Sequence, residues 1–144
     1  MTRWETVFEA FGIGRSFFFS LGWDSVRATL SLCDRWVGVN LVGREDNDKG
    51  YPLRFLDTFR KMRRRYSGIG LAIHGGEVDE PNRHVRDTLL LGATRIGHSV
   101  NLITDPDTLL LMRGGRYLVE VSLVSNQLLG YTPNLDEHPF PPST

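Results

Sequence analysis

A single cysteine, Cys33, excludes an internal disulfide and every zinc signature built from paired cysteines. Charge of one sign is missing too: seventeen acidic residues balance seventeen basic ones. No overall field therefore draws the chain to nucleic acid or to an anionic membrane, and a small neutral molecule is the partner class that remains. No apolar run approaches membrane-spanning length. The stretch from Met1 to Ala10 is amphipathic and carries Glu5 and Glu9, so it reads as neither a signal nor a transit peptide. With one thiol and no leader, a reducing, cytoplasmic setting is expected. Nothing in the pattern sets an oligomeric state. What is present, in 144 residues, is 40% hydrophobic and 24% charged, the composition of one ordinary globular domain.

Short apolar runs recur, each followed by a turn and a stretch of helical periodicity, the signature of βα units on a parallel sheet. Five runs read as buried strands: Ser16 to Ser20, Trp36 to Val42, Ile69 to Ile73, Thr94 to Gly97 and Leu118 to Leu123. Between them, Asp24 caps a helix whose Val26, Leu30 and Cys33 share a face. Pro52 opens a second helix with Leu56, Phe59 and Met62 inside, closed by Arg63, Arg64 and Arg65, whose charges complement the helix dipole. A third follows Asn82, with Val85 and Leu89 inside and Gly92 as the stop. A fourth takes Asp105 as cap and Pro106 at its first position, with Leu109 to Met112 inside. Residues 132–144 hold Pro133, Pro139, Pro141 and Pro142 and read as an irregular, proline-rich connection.

In parallel βα folds, ligands sit at the carboxyl ends of the strands. Polar residues fall there repeatedly: Asn40 and Gly43 on the second run, His74 and Glu77 after the third, His98 after the fourth, and Ser122, Ser125 and Asn126 after the fifth. Two histidines would thus converge at one mouth. Neutral imidazole is a good zinc ligand, and zinc lowers the pKa of water from about 15.7 to about 7. A carboxylic acid three residues beyond a ligand, on a Gly-Gly turn, can deliver a proton to a substrate atom that becomes basic during attack. Glu77 has that spacing from His74. The other histidines read otherwise: His84 as part of a solvated helix face beside Arg83 and Arg86, His138 as part of the tail. Arg44 to Lys49 reads as a solvated loop, with Glu45 and Asp46 near the mouth.

At this point the sequence resembles the adenosine and adenine deaminases of the metal-dependent amidohydrolase superfamily, in the branch related to adenosine-deaminase growth factors. The likeness runs from about Trp36 to Pro139. Val37-Gly38-Val39-Asn40-Leu41-Val42-Gly43 is similar to the fourth-strand Gly-x-Asp-Leu-x-Gly segment, and His74-Gly75-Gly76-Glu77 to the fifth-strand His-Ala-Gly-Glu motif. Arg95-Ile96-Gly97-His98-Ser99 resembles the sixth-strand Arg-Ile-Gly-His-Gly, and Glu120 to Asn126 the seventh-strand Glu-x-Cys-Pro-x-Ser-Asn. The resemblance implies zinc-dependent hydrolytic deamination of adenosine or a related 6-aminopurine to inosine and ammonia. It implies one zinc ion with His74 as a ligand, Glu77 as proton donor to the purine N1, and His98 acting on the water. Gly43, through its backbone N–H, and Gly76 become substrate-binding positions.

Departures cluster at the same places. Gly75 replaces alanine, Ser99 a glycine, Asn40 an aspartate, and Ser122-Leu123 a Cys-Pro pair. The family's first-strand His-x-His pair and eighth-strand Asp-Asp pair have no counterpart. An eight-stranded barrel needs roughly 250 residues. The expected architecture is therefore α/β, a partial TIM (β/α)8 barrel of about strands three to seven, forming one partial catalytic domain over residues 1–144, with the remaining zinc ligands outside the chain and no activity for the fragment alone. Two alternatives stay open: a non-catalytic remnant of the same fold, or a relative acting on AMP, adenine or another aminated heterocycle.

Overall fold

The computed structural model describes residues 7–12, 15–19, 27, 36–42, 51–78 and 83–140. Six strands form one sheet in the order β2-β1-β3-β4-β5-β6. Strands β3 (Trp36–Val42), β4 (Gly70–Gly75), β5 (Arg95–His98) and β6 (Leu118–Glu120) run parallel, with Asn40 opposite Ala72, His74 opposite Gly97, and Gly97 opposite Glu120. Each crossover carries helix: a 3-10 turn at Pro52–Phe55 leading into α1 (Leu56–Arg65), then α2 (His84–Leu90), then a 3-10 turn at Val100–Thr104 leading into α3 (Pro106–Arg113). After β6 come α4 (Leu123–Leu128) and a 3-10 turn at Leu135–Glu137.

The register aligns Val39, Leu41, Leu71, Ile73 and Ile96 on one face of the sheet, the face that the helices cover, while Asn40, Ala72, His74 and Gly97 lie on the other. Val39, Leu41, Leu71 and Ile73 pack with Phe55, Phe59 and Met62, whose spacing places them on one side of the turn and α1. Each large side chain buried there contributes about 1.5–3 kcal/mol. A second cluster gathers Val85, Leu89, Ile96 and Leu102, with Met112, Tyr117, Val119 and Phe140 against it. Arg63 does more than complement a dipole: its guanidinium donates to the Gly92 carbonyl at 2.6 Å, tying the end of α1 to the turn after α2. Gly92 stops α2 as expected, at φ +82°.

Four expectations are corrected. Val7–Gly12 is a strand, β1, where none of the five strand readings lay, and it forms an antiparallel hairpin with β2 (Arg15–Phe19) before pairing antiparallel with β3. The first of the five runs is therefore not a parallel barrel strand. The last run ends as strand at Glu120, and Leu123 opens α4. His84 is buried, edge-on to Tyr51 at 5.0 Å between ring centroids, because Tyr51 folds over the start of α2 and bonds Asp87. Of the apolar residues expected inside α3, Leu109, Leu110 and Leu111 are exposed, while Met112 packs against the second cluster. The helix from Asp24 and the loop from Arg44 lie outside the described residues, except that Arg27 is helical.

Asp105 caps α3 as the sequence requires: its carboxylate accepts from the Thr108 N–H at 3.0 Å and from the Thr108 hydroxyl at 2.6 Å. Those bonds hold its pKa below the usual carboxylate value. A depressed folded pKa contributes stability that is present above the unfolded value and lost as pH falls through the folded one. Asp105→Ala should cost about 1 kcal/mol near neutral pH. The gap between wild type and variant should narrow below about pH 4, where the unfolded carboxyl takes up its proton. Urea melts of both proteins at the two pH values measure this, and an unchanged gap would contradict the capping role.

Candidate active site

His74 stands next to last on β4, and the Gly75-Gly76 turn carries the chain to Glu77. Gly76 has φ +76° and is buried. A Cβ there would collide with the Asn101 amide and lie 2.9 Å from Val85 Cγ2, so the turn requires glycine. Gly75 is different: a Cβ would sit 3.0 Å from Thr88 Cγ2, close enough that Thr88 must shift slightly for alanine. His98 ends the neighbouring strand. Its Nε2 lies 3.2 Å from His74 Nδ1 and its Nδ1 lies 3.1 Å from Glu77 Oε1. Sequence reasoning selected His74, Glu77 and His98, and the fold brings them together, with ligand atoms all within 4.8 Å of one another.

The surrounding residues hold this group in place. Asn126 Oδ1 lies 3.3 Å from His98 Nδ1, and Ser125 Oγ lies 3.5 Å from Glu77 Oε1. Both come from α4, so the residues expected beyond a strand reach the site from a helix. Asn40 Nδ2 reaches His74 Nε2 at 3.4 Å from β3. Gly43 is outside the described residues. Sequence reasoning passed over Gly97. Lying opposite His74 in the parallel ladder, it leaves room for the ring: a Cβ would stand 2.9 Å from His74 Cδ2. The signal was available as a glycine inside a strand, which marks close approach.

Backbone strain collects at the end of β5. His98 and Ser99 both have positive φ, 66° and 54°, a conformation costing a non-glycine residue of order 1 kcal/mol or more. Ser99 is fully buried and its hydroxyl has no hydrogen-bond partner. Ser99→Gly removes both penalties and is expected to raise stability by about 1–3 kcal/mol. Chemical denaturation checks this, and a variant no more stable than wild type would refute it.

A tetrahedral ion with bonds of about 2.0–2.1 Å holds its ligands roughly 3.3–3.4 Å apart. The separation of His74 Nδ1 and His98 Nε2, 3.2 Å, is close to that spacing, and the imidazole of His74 suits an ion of the zinc class, with His98 and Glu77 placed beside it. The donors present therefore fit such a metal.

Two imidazoles and a carboxylate gathered at the carboxyl ends of parallel βα strands stand where barrel enzymes carry their active sites. The chain's residues 24–142 match the family model described as adenosine deaminase. Over 113 residues it is 34% identical to the adenosine deaminase of Vibrio parahaemolyticus, covering 78% of this chain and 33% of that protein. It is 36% identical over 118 residues to the adenine deaminase of Cupriavidus pinatubonensis, covering 81% and 32%, and 31% identical over 130 residues to adenosine deaminase 2 of Dictyostelium discoideum, covering 83% and 24%. The solved adenine deaminase of Arthrobacter aurescens shares its fold, with a TM-score of 0.70 at 22% identity over 83% of this chain and 37% of that one. The chain belongs to the adenosine deaminase family. It spans about a third or less of the length of these relatives, consistent with a partial (β/α)8 barrel. No described helix is long and apolar enough to cross a membrane.

Proposed function

We propose that the protein to which this chain belongs hydrolytically deaminates a 6-aminopurine, adenosine in the first instance, to the 6-oxopurine and ammonia in a cytoplasmic setting. The observation that carries this reading is the contact of His98 with both His74 and Glu77 at the mouth of the parallel strands. His74 would hold a zinc ion together with ligands contributed from outside these 144 residues; when bound, the ion makes water acidic enough to react at neutral pH.

The chain's own residues account for the rest. Glu77, as a carboxylic acid, gives its proton to purine N1 as water adds at C6, so that the ring nitrogen does not carry the developing negative charge. His98, held by Asn126, orients the attacking water and stabilises the charge that forms on it. Ser125 steadies the Glu77 carboxyl between steps. The proton given up by the water passes through His98 to the amino group, which leaves as ammonia, and the proton of the C6 hydroxyl returns to Glu77 as the 6-oxo group forms. Gly43 and the Gly76 turn offer backbone against the purine.

Neutral overall charge favours the nucleoside over its phosphate, while the adenine deaminases among the relatives make the free base a second candidate. Ammonia release from adenosine, adenine and AMP, assayed with a protein of the relatives' length that carries this segment, tests the proposal. Turnover of adenosine above the other two is expected. Release from none of the three would overturn the assignment.

A further inference from the structure

We propose that Asn40 is a positioning residue that fixes which ring nitrogen of His74 carries hydrogen, and that it thereby weakens metal capture at this site. Pairing of Asn40 with Ala72 places it beside the face of β4 that also carries His74, two residues further on. Its contact with His74 Nε2 is made through Nδ2, the amide nitrogen, which only donates. The acceptor half is not engaged: Asn40 Oδ1 is buried without a hydrogen-bond partner. Accepting that amide hydrogen requires a bare Nε2, so the hydrogen of neutral His74 resides on Nδ1.

The neighbouring contacts run in the same direction. His74 Nδ1 donates to His98 Nε2 at 3.2 Å, which places the His98 hydrogen on Nδ1, facing Glu77 Oε1 at 3.1 Å and Asn126 Oδ1 at 3.3 Å. The order Asn40, His74, His98, then Glu77 and Asn126 is one unbroken donor-to-acceptor sequence. In that state His74 offers a metal no open lone pair, because Nε2 meets an amide hydrogen and Nδ1 carries its own. An aspartate of the same shape at position 40 can only accept. It would draw the hydrogen to Nε2, leave Nδ1 bare on the side facing His98 and Glu77, and add a negative charge behind the ligand.

The tautomer half of this proposal stands on the contacts alone, whereas the metal half rests on the reading of His74 as a ligand. Both are measurable without any activity assay, the tautomer on the 144-residue chain and the metal affinity on a protein of the relatives' length. Long-range proton–nitrogen NMR of the metal-free protein is expected to find His74 with hydrogen on Nδ1 in the wild type and on Nε2 in Asn40→Asp. Cobalt(II) titration followed by visible absorbance, with zinc competition, in a protein of the relatives' length that carries this segment, is expected to show Asn40→Asp binding about 10–100-fold more tightly than wild type. Wild-type His74 carrying hydrogen on Nε2 would overturn the proposal, as would an Asn40→Asp affinity no higher than wild type. A tautomer switch with no metal bound by either protein would uphold the positioning role, overturn the weakened capture and count against His74 as a ligand. Should Asn40→Asp not fold, Asn40→Leu, which has no hydrogen to give, must lose the Nδ1–H preference.

Discussion

Glu77→Gln, in a protein of the relatives' length carrying this segment, is expected to lower turnover by about two or more orders of magnitude, the usual scale for loss of a general acid. The amide retains the shape of the carboxyl, and its oxygen can still accept from His98 Nδ1, now 3.1 Å from Glu77 Oε1. What it lacks is a proton that leaves readily. The effect should therefore fall on kcat, with KM and bound metal little changed. Steady-state kinetics with metal analysis on the same samples separates the outcomes. Turnover within a few-fold of wild type would remove Glu77 from the proton-donor role.

Gly97→Ala carries the second large effect. The added methyl would lie 2.9 Å from His74 Cδ2 and 3.2 Å from Cγ, so the imidazole has to tilt. It has little freedom to do so, since Asn40 meets one ring nitrogen and His98 the other. Forcing a methyl into such a place costs about 1–3 kcal/mol. The tilt would also separate the two imidazoles from their 3.2 Å contact. Loss of stability in denaturant melts, together with altered His74 and His98 ring resonances, is expected. A variant with wild-type stability and unshifted ring signals would show that the glycine is dispensable.

The sequence made the centre of the sheet legible because local rules and tertiary packing agree there. Leu71, Ile73 and Ile96 are apolar because helices cover the face of the sheet that they share, and His74, Glu77 and His98 stand out as polar groups at the ends of those runs. The same rule failed where long-range partners decide. His84 lies between Arg83 and Arg86 in sequence, yet it is buried, with the ring of Tyr51, thirty-three positions away, edge-on against it. Leu109 to Leu111 keep an apolar pattern but face no layer among the described residues, so they stay exposed. Asn126 reaches His98 from a helix because β6 ends at Glu120, and strand length is the boundary that hydrophobic pattern fixes least well.

The antiparallel hairpin bears on how a ring of strands could close. Each edge of β3 presents one row of backbone donors and acceptors: β4 occupies one and β1 the other. A parallel strand arriving on the β1 side would find that row already taken, through pairing from Val7↔Val42 to Gly12↔Trp36. Closure on that side and retention of the hairpin are mutually exclusive states of the same hydrogen-bonding groups. Their interconversion is a strand exchange, in which the incoming strand competes with a neighbour tethered in the same chain, at the high effective concentration that tethering confers.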